Sequence, residues 1–197
     1  NEKDDNIKKS LEFLNKSLEK LANGEYPLEE LVVTKTLRGF YKNPQQIAHK
    51  VLADRMKKRD PGSAPQANDR VPYVYIQIKE EKGKKLLQGD KIEDPKFIHE
   101  KNLTPDYGHY ITNQIMKPCL QLYSMILENI DGYKHKNDKK YWDKKYKTLM
   151  EEKKDKKKVD EKIKQLREKE VEELLFSKYL IKIDNKKNKV KNIYDFF

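Results

Sequence analysis

The sequence predicts a mainly helical α+β fold, and three observations lead there. Apolar residues recur at helical spacing over much of the 197-residue chain, as at Ile7, Leu11, Leu14, Leu18 and Leu21. Two short runs with strand character, Leu31–Thr34 and Val71–Ile78, break that pattern. The composition, 36% hydrophobic against 39% charged, is poor in core for the length, so part of the chain must be solvated helix or tail.

Taken in order, the first apolar stripe follows a 4-3-4-3 spacing and ends at Asn23-Gly24, a helix stop. Such a stripe needs a partner, either the elements that follow or a neighbouring domain. After Pro27, the β-branched Leu31–Thr34 reads as a strand. Asn43-Pro44 reads as an N-cap with proline at the first helical position, opening a helix to about Lys58 that buries Ile47, Ala48, Val51, Leu52 and Met56. His49, between apolar neighbours, reads as a packed, hydrogen-bonded residue rather than a ligand.

Val71–Ile78 alternates Tyr73, Tyr75 and Gln77 with Val74, Ile76 and Ile78, giving one aromatic-polar and one apolar face. The tyrosines either pack in the sheet or stack on exposed bases. Glu80–Lys85, around Gly83, reads as a turn, and Glu93-Asp94-Pro95 starts a short helix with Phe97 and Ile98 inside. Thr104-Pro105 opens a long amphipathic helix carrying Tyr107, Tyr110, Ile111, Ile115, Leu122 and Ile126, which Pro118 should kink. From Lys139 to Glu173 the chain is mostly Lys, Glu and Asp, with short apolar stripes at Trp142, Tyr146 and Leu149 and at Val159, Ile163 and Leu166. It reads as a solvated charged helix, whose Lys153–Lys158 run could also track phosphates or serve as a nuclear address.

A formal charge of +11 and a pI near 9.3 point to a polyanionic partner, nucleic acid before membrane. One cysteine, Cys119, excludes a disulfide framework and a cysteine-based metal centre. No signal peptide or apolar run of spanning length is evident, so the expectation is a soluble, non-secreted protein. The chain also reads as starting mid-element, as if cut from something longer. His49, His99, His109 and His135 are too scattered for a metal set, Asp4-Asp5 has no flanking strand, and no glycine-rich phosphate loop is present. No catalytic residue is assigned.

The densest feature is His49–Ile78, which joins a helix, a cationic cluster, a Pro/Gly/Asn loop and a strand. Lys57, Lys58 and Arg59 near the helix end complement its dipole. Together with Arg70 across the loop Asp60–Asp69, they can instead grip neighbouring phosphates, Arg with two parallel N–H bonds and Lys as a point charge. The words MKKRDPGSAP and NDRVPYV resemble a thumb segment of family B DNA polymerases, the delta-like replicative branch, which carries RMxKRDPGSAPxxGDRVPYVI. Asn68 stands for the Gly before Asp69, and Asn is the commonest substitute where φ is positive. Tyr75 stands for the final Ile.

The resemblance extends to LVVTK at Leu31–Lys35 (family LVITK), EDPKFIHE at Glu93–Glu100 (family EDPLFVLE), and Tyr110, Thr112, Asn113, Gln114 and Pro118 of a YYLTNQLxxP helix, where His109 replaces the first Tyr. It stops at Asp131-Gly132, and the cysteine modules that end such enzymes are absent from this sequence. A giant-virus polymerase is the expected source, acting in the nucleus or a viral replication compartment in the cytoplasm.

The resemblance implies a thumb domain at 1–132, holding primer–template duplex through Lys35, Arg38, Lys57, Lys58, Arg59 and Arg70, with Asn113 and Gln114 as secondary contacts. Lys35 and Arg38 read equally well as solvated surface. Paired carboxylates holding two metal ions about 4 Å apart, which polymerases need, are expected with Mg2+ in a palm domain this chain lacks, so the chain alone should be inactive. A helical extension at 133–182 and a flexible tail at 183–197 follow. In that tail Ile193, Phe196 and Phe197 have the spacing of a sliding-clamp-binding plug, with Val190 in place of the usual Gln and Asp184–Lys189 as a polar leash. The pair of phenylalanines could instead dock on its own domain, though a processive polymerase needs a tether, which favours the clamp. The alternative to a polymerase part is a non-enzymatic DNA- and clamp-binding adaptor.

Overall fold

The computed structural model describes residues 2–78, 86–126, 139–153 and 155–194. The turn expected at Glu80–Lys85, the boundary at Asp131-Gly132, His135, Phe196 and Phe197 lie outside them. The chain forms two compact units, Tyr26–Asp106 and, from both ends of the sequence, Asn1–Glu25 with Tyr107–Phe197. This partition differs from the linear one read from the sequence (1–132, 133–182, 183–197), because the first helix packs with the last ones.

In the unit Tyr26–Asp106, Leu28–Leu31 forms a 3₁₀ turn after Pro27 and buries Leu31, so strand β1 starts later than expected, at Val33–Thr36. β1 pairs antiparallel with β2 (Arg70–Tyr75), placing Val33 opposite Tyr73 and Thr36 opposite Arg70, and β2 pairs antiparallel with the short β3 (Ile92–Glu93). The expected helix start at Asn43-Pro44 is instead a 3₁₀ turn, Pro44–Gln46, and Asn43 makes no side-chain cap. Extended backbone at Ile47 separates it from α2, Ala48–Arg59.

The core packs Leu52 and Ala53 of α2 onto Leu37, Val71, Tyr73 and Ile92, with Val33, Tyr41, Ala48, Met56 and Tyr75 at its edge. The tyrosine side of β2 is thus the core side, and Val74 on the opposite face is buried as well. Burial, with Tyr75 alongside, pushes the Tyr73 phenol up to about 12. Gly89 sits where α2 passes over the turn before β3, and a Cβ there would lie 2.6 Å from Val51 Cβ. Helix α3, Pro95–Lys101, starts as the sequence predicts: Asp94 accepts the Phe97 N–H at 3.1 Å, with proline at the first position.

The other unit is helical. α1, Glu2–Asn23, ends in a Schellman motif, with Gly24 at φ +77°, its N–H on Leu21 O at 3.0 Å and the Glu25 N–H on Lys20 O at 2.9 Å. α4 (Tyr107–Tyr110), a π turn (Ile111–Met116) and α5 (Lys117–Met125) follow. The wide turn lies just before Pro118, where a missing N–H would otherwise interrupt the helical ladder.

α6 (Lys139–Lys153), α7 (Lys156–Leu175) and α8 (Ser177–Tyr194) complete the unit. The segment read as a solvated helix is packed on one face, where Trp142, Leu149, Val159 and Val171 are buried, and Leu175, Phe176, Tyr179 and Ile183 beyond it are buried as well. α8 supplies the partner that the first stripe needs, since Tyr179 Oη donates to Asn15 O at 3.2 Å and Lys182 pairs with Glu19. Arg167 Nε of α7 reaches Ser124 O on α5 at 2.8 Å. Leu11, Leu14, Leu18 and Leu21 are all buried, each contributing on the order of 1.5–3 kcal/mol. The expected leash is likewise corrected, because α8 carries helix through Asp184–Lys189 to Tyr194.

Candidate nucleic-acid interface

The corner of the Tyr26–Asp106 unit where β1 ends and β2 begins is fixed by its backbone. The Leu37 N–H donates to Asp69 O at 2.8 Å and the Asn68 N–H to Leu37 O at 2.7 Å, tying the chain after β1 to the loop before β2. Asn68 has φ +75°, the left-handed conformation for which Asn substitutes for Gly. Within the loop, the Gly62 N–H donates to Asp60 Oδ1 at 3.0 Å and the Gln66 N–H to Asp69 Oδ2 at 2.7 Å. The Ser63 hydroxyl, with the Gly62 and Ser63 amides, holds the Asp60 carboxyl below its usual range. Short side chains bonding to nearby amides make a stiff loop without a core.

Cations gather around this corner. Arg70 opens β2 opposite Thr36 and donates to the Thr34 hydroxyl, Lys35 pairs with Val71 and so projects on the other face of the sheet, and Arg38 follows Leu37. Lys57 and Lys58 occupy the last turn of α2, where the loop begins. Lys35, Arg38, Lys57, Lys58 and Arg70 are exposed, and no carboxylate among the described residues pairs with them.

Tyr41 and His49 brace the corner from below. Tyr41 Oη accepts the Arg38 N–H at 2.7 Å and lies 3.0 Å from His49 Nε2. Burial, together with the charges of Lys35 and Arg38, lowers the His49 pKa, which favours the neutral ring. The packed, hydrogen-bonded reading of His49 holds.

Arg59 is corrected. Its two terminal nitrogens donate to Glu93 Oε1 and Oε2 at 3.0 and 2.7 Å, and its guanidinium lies 3.6 Å above the Phe97 ring centroid. Glu93 is 4% exposed while the Arg59 side chain keeps 33% exposure, so this is a bidentate pair that is dry on the carboxylate side and open to water on the guanidinium side. Hydrogen bonding to Glu93 raises the Arg59 pKa, against a smaller cost of burial. Arg55, one turn earlier, donates to Gly89 O at 3.1 Å and to Ile92 O; its Nε is 3.3 Å from Glu93 Oε2, within charge attraction but without hydrogen-bond alignment. The i, i+4 spacing of Arg55 and Arg59 was visible in the sequence. That a carboxylate 34 residues beyond Arg59 would meet them was not.

Asn113 and Gln114 belong to the other unit. Asn113 Nδ2 donates to His109 O at 3.2 Å and faces the His109 ring, so its amide is engaged within its own helical segment, while Gln114 is exposed. Ile193 lies within the span of α8. Among the described residues no group of three or more His, Cys, Asp or Glu is placed to hold a metal ion, and no helix is long and apolar enough to cross a membrane.

The corner thus presents exposed cations on a backbone frame tied by hydrogen bonds beside a small sheet. The sequence model of DNA polymerase family B matches residues 1–126, and the chain belongs to that family. It is 48% identical over 194 residues to the DNA polymerase of Pyramimonas orientalis virus, covering 98% of this chain and 16% of that protein. It is 45% identical over 137 residues to the DNA polymerase of Acanthamoeba polyphaga mimivirus (68% of this chain, 8% of that protein). With the DNA polymerase delta catalytic subunit of Caenorhabditis elegans it shares 36% over 119 residues (60% and 11%). The chain therefore spans a small part of each of these relatives. The viral match at 98% coverage takes in the charged C-terminal helices, where the delta-like resemblance stops.

Proposed function

We propose that this chain is the thumb part of a replicative DNA polymerase and grips primer–template duplex by its sugar-phosphate rails. The observation that carries the reading is the corner of Lys35, Arg38, Lys57, Lys58 and Arg70, exposed on backbone that hydrogen bonds hold in place. Cations on a rigid frame meet phosphates with little ordering cost and no sequence preference, which suits an element that must slide with the duplex.

The Asp, Glu and His residues described do not assemble into a two-metal site, so no phosphoryl-transfer step is assigned to this chain. Mg2+ and the catalytic carboxylates belong, on this reading, to a palm domain that the chain partners. The site of action is the nucleus or a viral replication compartment. Ile193, with Phe196 and Phe197, is proposed as a sliding-clamp anchor; a synthetic peptide of residues 188–197 binding a clamp, and losing that binding on Phe196→Ala, tests it.

For the grip itself, the test is anisotropy of a fluorescein-labelled primer–template duplex titrated with the chain over a salt series. Binding that weakens steeply with salt and loses slope when Lys58 or Arg70 is neutralised supports the reading; no binding at low salt overturns it. Restored primer extension on mixing the chain with the remaining polymerase segments tests the polymerase role.

A further inference from the structure

We infer that Phe40 is an apolar contact to the duplex, its ring packing on deoxyribose between the phosphates held by the cations around it. The inference rests on the duplex-grip reading and adds a component that charge does not supply.

Phe40 is 82% exposed, yet its backbone is not loose. Leu37 is bonded to Asp69 and Asn68, Arg38 to Tyr41 Oη, and Tyr41 to His49, while an added Cβ at Gly39 would stand 3.9 Å from Ala67 Cβ, ordinary van der Waals contact. The loop is thus fixed on both sides of the ring. Single exposed apolar residues are common and need no partner. What distinguishes Phe40 is its surroundings: it lies between Arg38 and Lys42 in the chain and next to Tyr41, whose partner His49 feels the charges of both Lys35 and Arg38.

A partner that covers this spot must neutralise several cations and present apolar surface among the neutralising groups. A nucleic-acid backbone does both, since its phosphates are spaced by apolar sugar faces, and phenylalanine is among the side chains that enter DNA grooves. A protein partner would need carboxylates interleaved with apolar groups at the same spacing.

The signature of such a contact is affinity without salt dependence. Counterion release sets the slope of log affinity against log salt, whereas apolar burial shifts the line without tilting it. The experiment compares the parent chain with F40A, F40W and R38A against the labelled duplex over a salt series, with thermal melts of each. F40A should bind about tenfold more weakly at every salt concentration with the parent slope. F40W should bind at least as tightly as the parent, and R38A should flatten the slope by about 0.9.

Parent-like affinity of F40A, or a slope change in F40A like that of R38A, would overturn the inference alone and assign the ring to a protein partner or to none. Should F40A melt early, F40W decides: weaker binding by a stable F40W overturns the inference. Absence of salt-dependent binding by the parent chain would instead overturn the grip reading, and this contact with it.

Discussion

Removing the Glu93 carboxylate should loosen the Tyr26–Asp106 unit without touching the cations assigned to DNA. In Glu93→Ala, Arg59 loses both acceptors and keeps only the face of Phe97, whereas Arg55 keeps the Gly89 and Ile92 carbonyls. Breaking one side of a fully buried ion pair costs about 3–5 kcal/mol. The Arg55 and Arg59 side chains retain 28% and 33% exposure, so water takes up part of the loss. The expected destabilisation is therefore about 2–3 kcal/mol. In urea, with an m-value of about 2 kcal/mol/M, the midpoint of that unit should fall by about 1–1.5 M, read by circular dichroism. The partner variant Arg59→Ala should leave the salt slope of duplex binding at the parent value, because its guanidinium is committed to Glu93. A Glu93→Ala midpoint within about 0.2 M of the parent, or a flattened slope in Arg59→Ala, would refute the lock.

Other outcomes follow from the same geometry. With Lys35, Arg38, Lys57, Lys58 and Arg70 on phosphates, the slope of log affinity against log salt should be about −4.5, and each neutralisation should remove about 0.9 of it. Gly89→Ala should cost on the order of 1–3 kcal/mol by forcing α2 away from the turn, measured as a lower urea midpoint; a parent-like midpoint would mean that Val51 yields freely. Asn68→Gly should be close to neutral and Asn68→Ala destabilising by about 1 kcal/mol, since only the backbone conformation is at stake.

His49 has a folded-state pKa below its ordinary 6.5, so the folded protein holds fewer protons there than the unfolded one. Its contribution to stability is complete above 6.5 and is lost as pH falls through the folded value. Urea midpoints followed downward from neutral pH should show that decline in the parent and less of it in His49→Gln.

Several features were legible from residues alone. The α1 stripe and its Gly24 stop, the Asp94 cap before Pro95, and positive φ at Asn68 each follow from rules local to a few residues, and the structure carries each one out. The element starts were less legible. β1 begins where pairing with β2 can start, and α2 begins after Ile47 turns the chain, choices set by packing rather than by the Pro and Asn signals nearby.

The sequence by itself determined the composition of the cationic corner, the stiffness of its loop and, through its wording, the polymerase family, because these are properties of neighbouring residues. The tertiary structure alone decided which cations remain available. Lys58 and Arg59 are chain neighbours of like charge, both exposed, yet one has no carboxylate partner among the described residues and the other is held by a buried carboxylate on β3. It likewise turned an apparent charged extension into the partner of the first helix, by bringing Tyr179 onto Asn15 across the chain. Contacts between residues far apart in sequence form only when the chain closes on itself, and no local pattern encodes which distant side chain will be met.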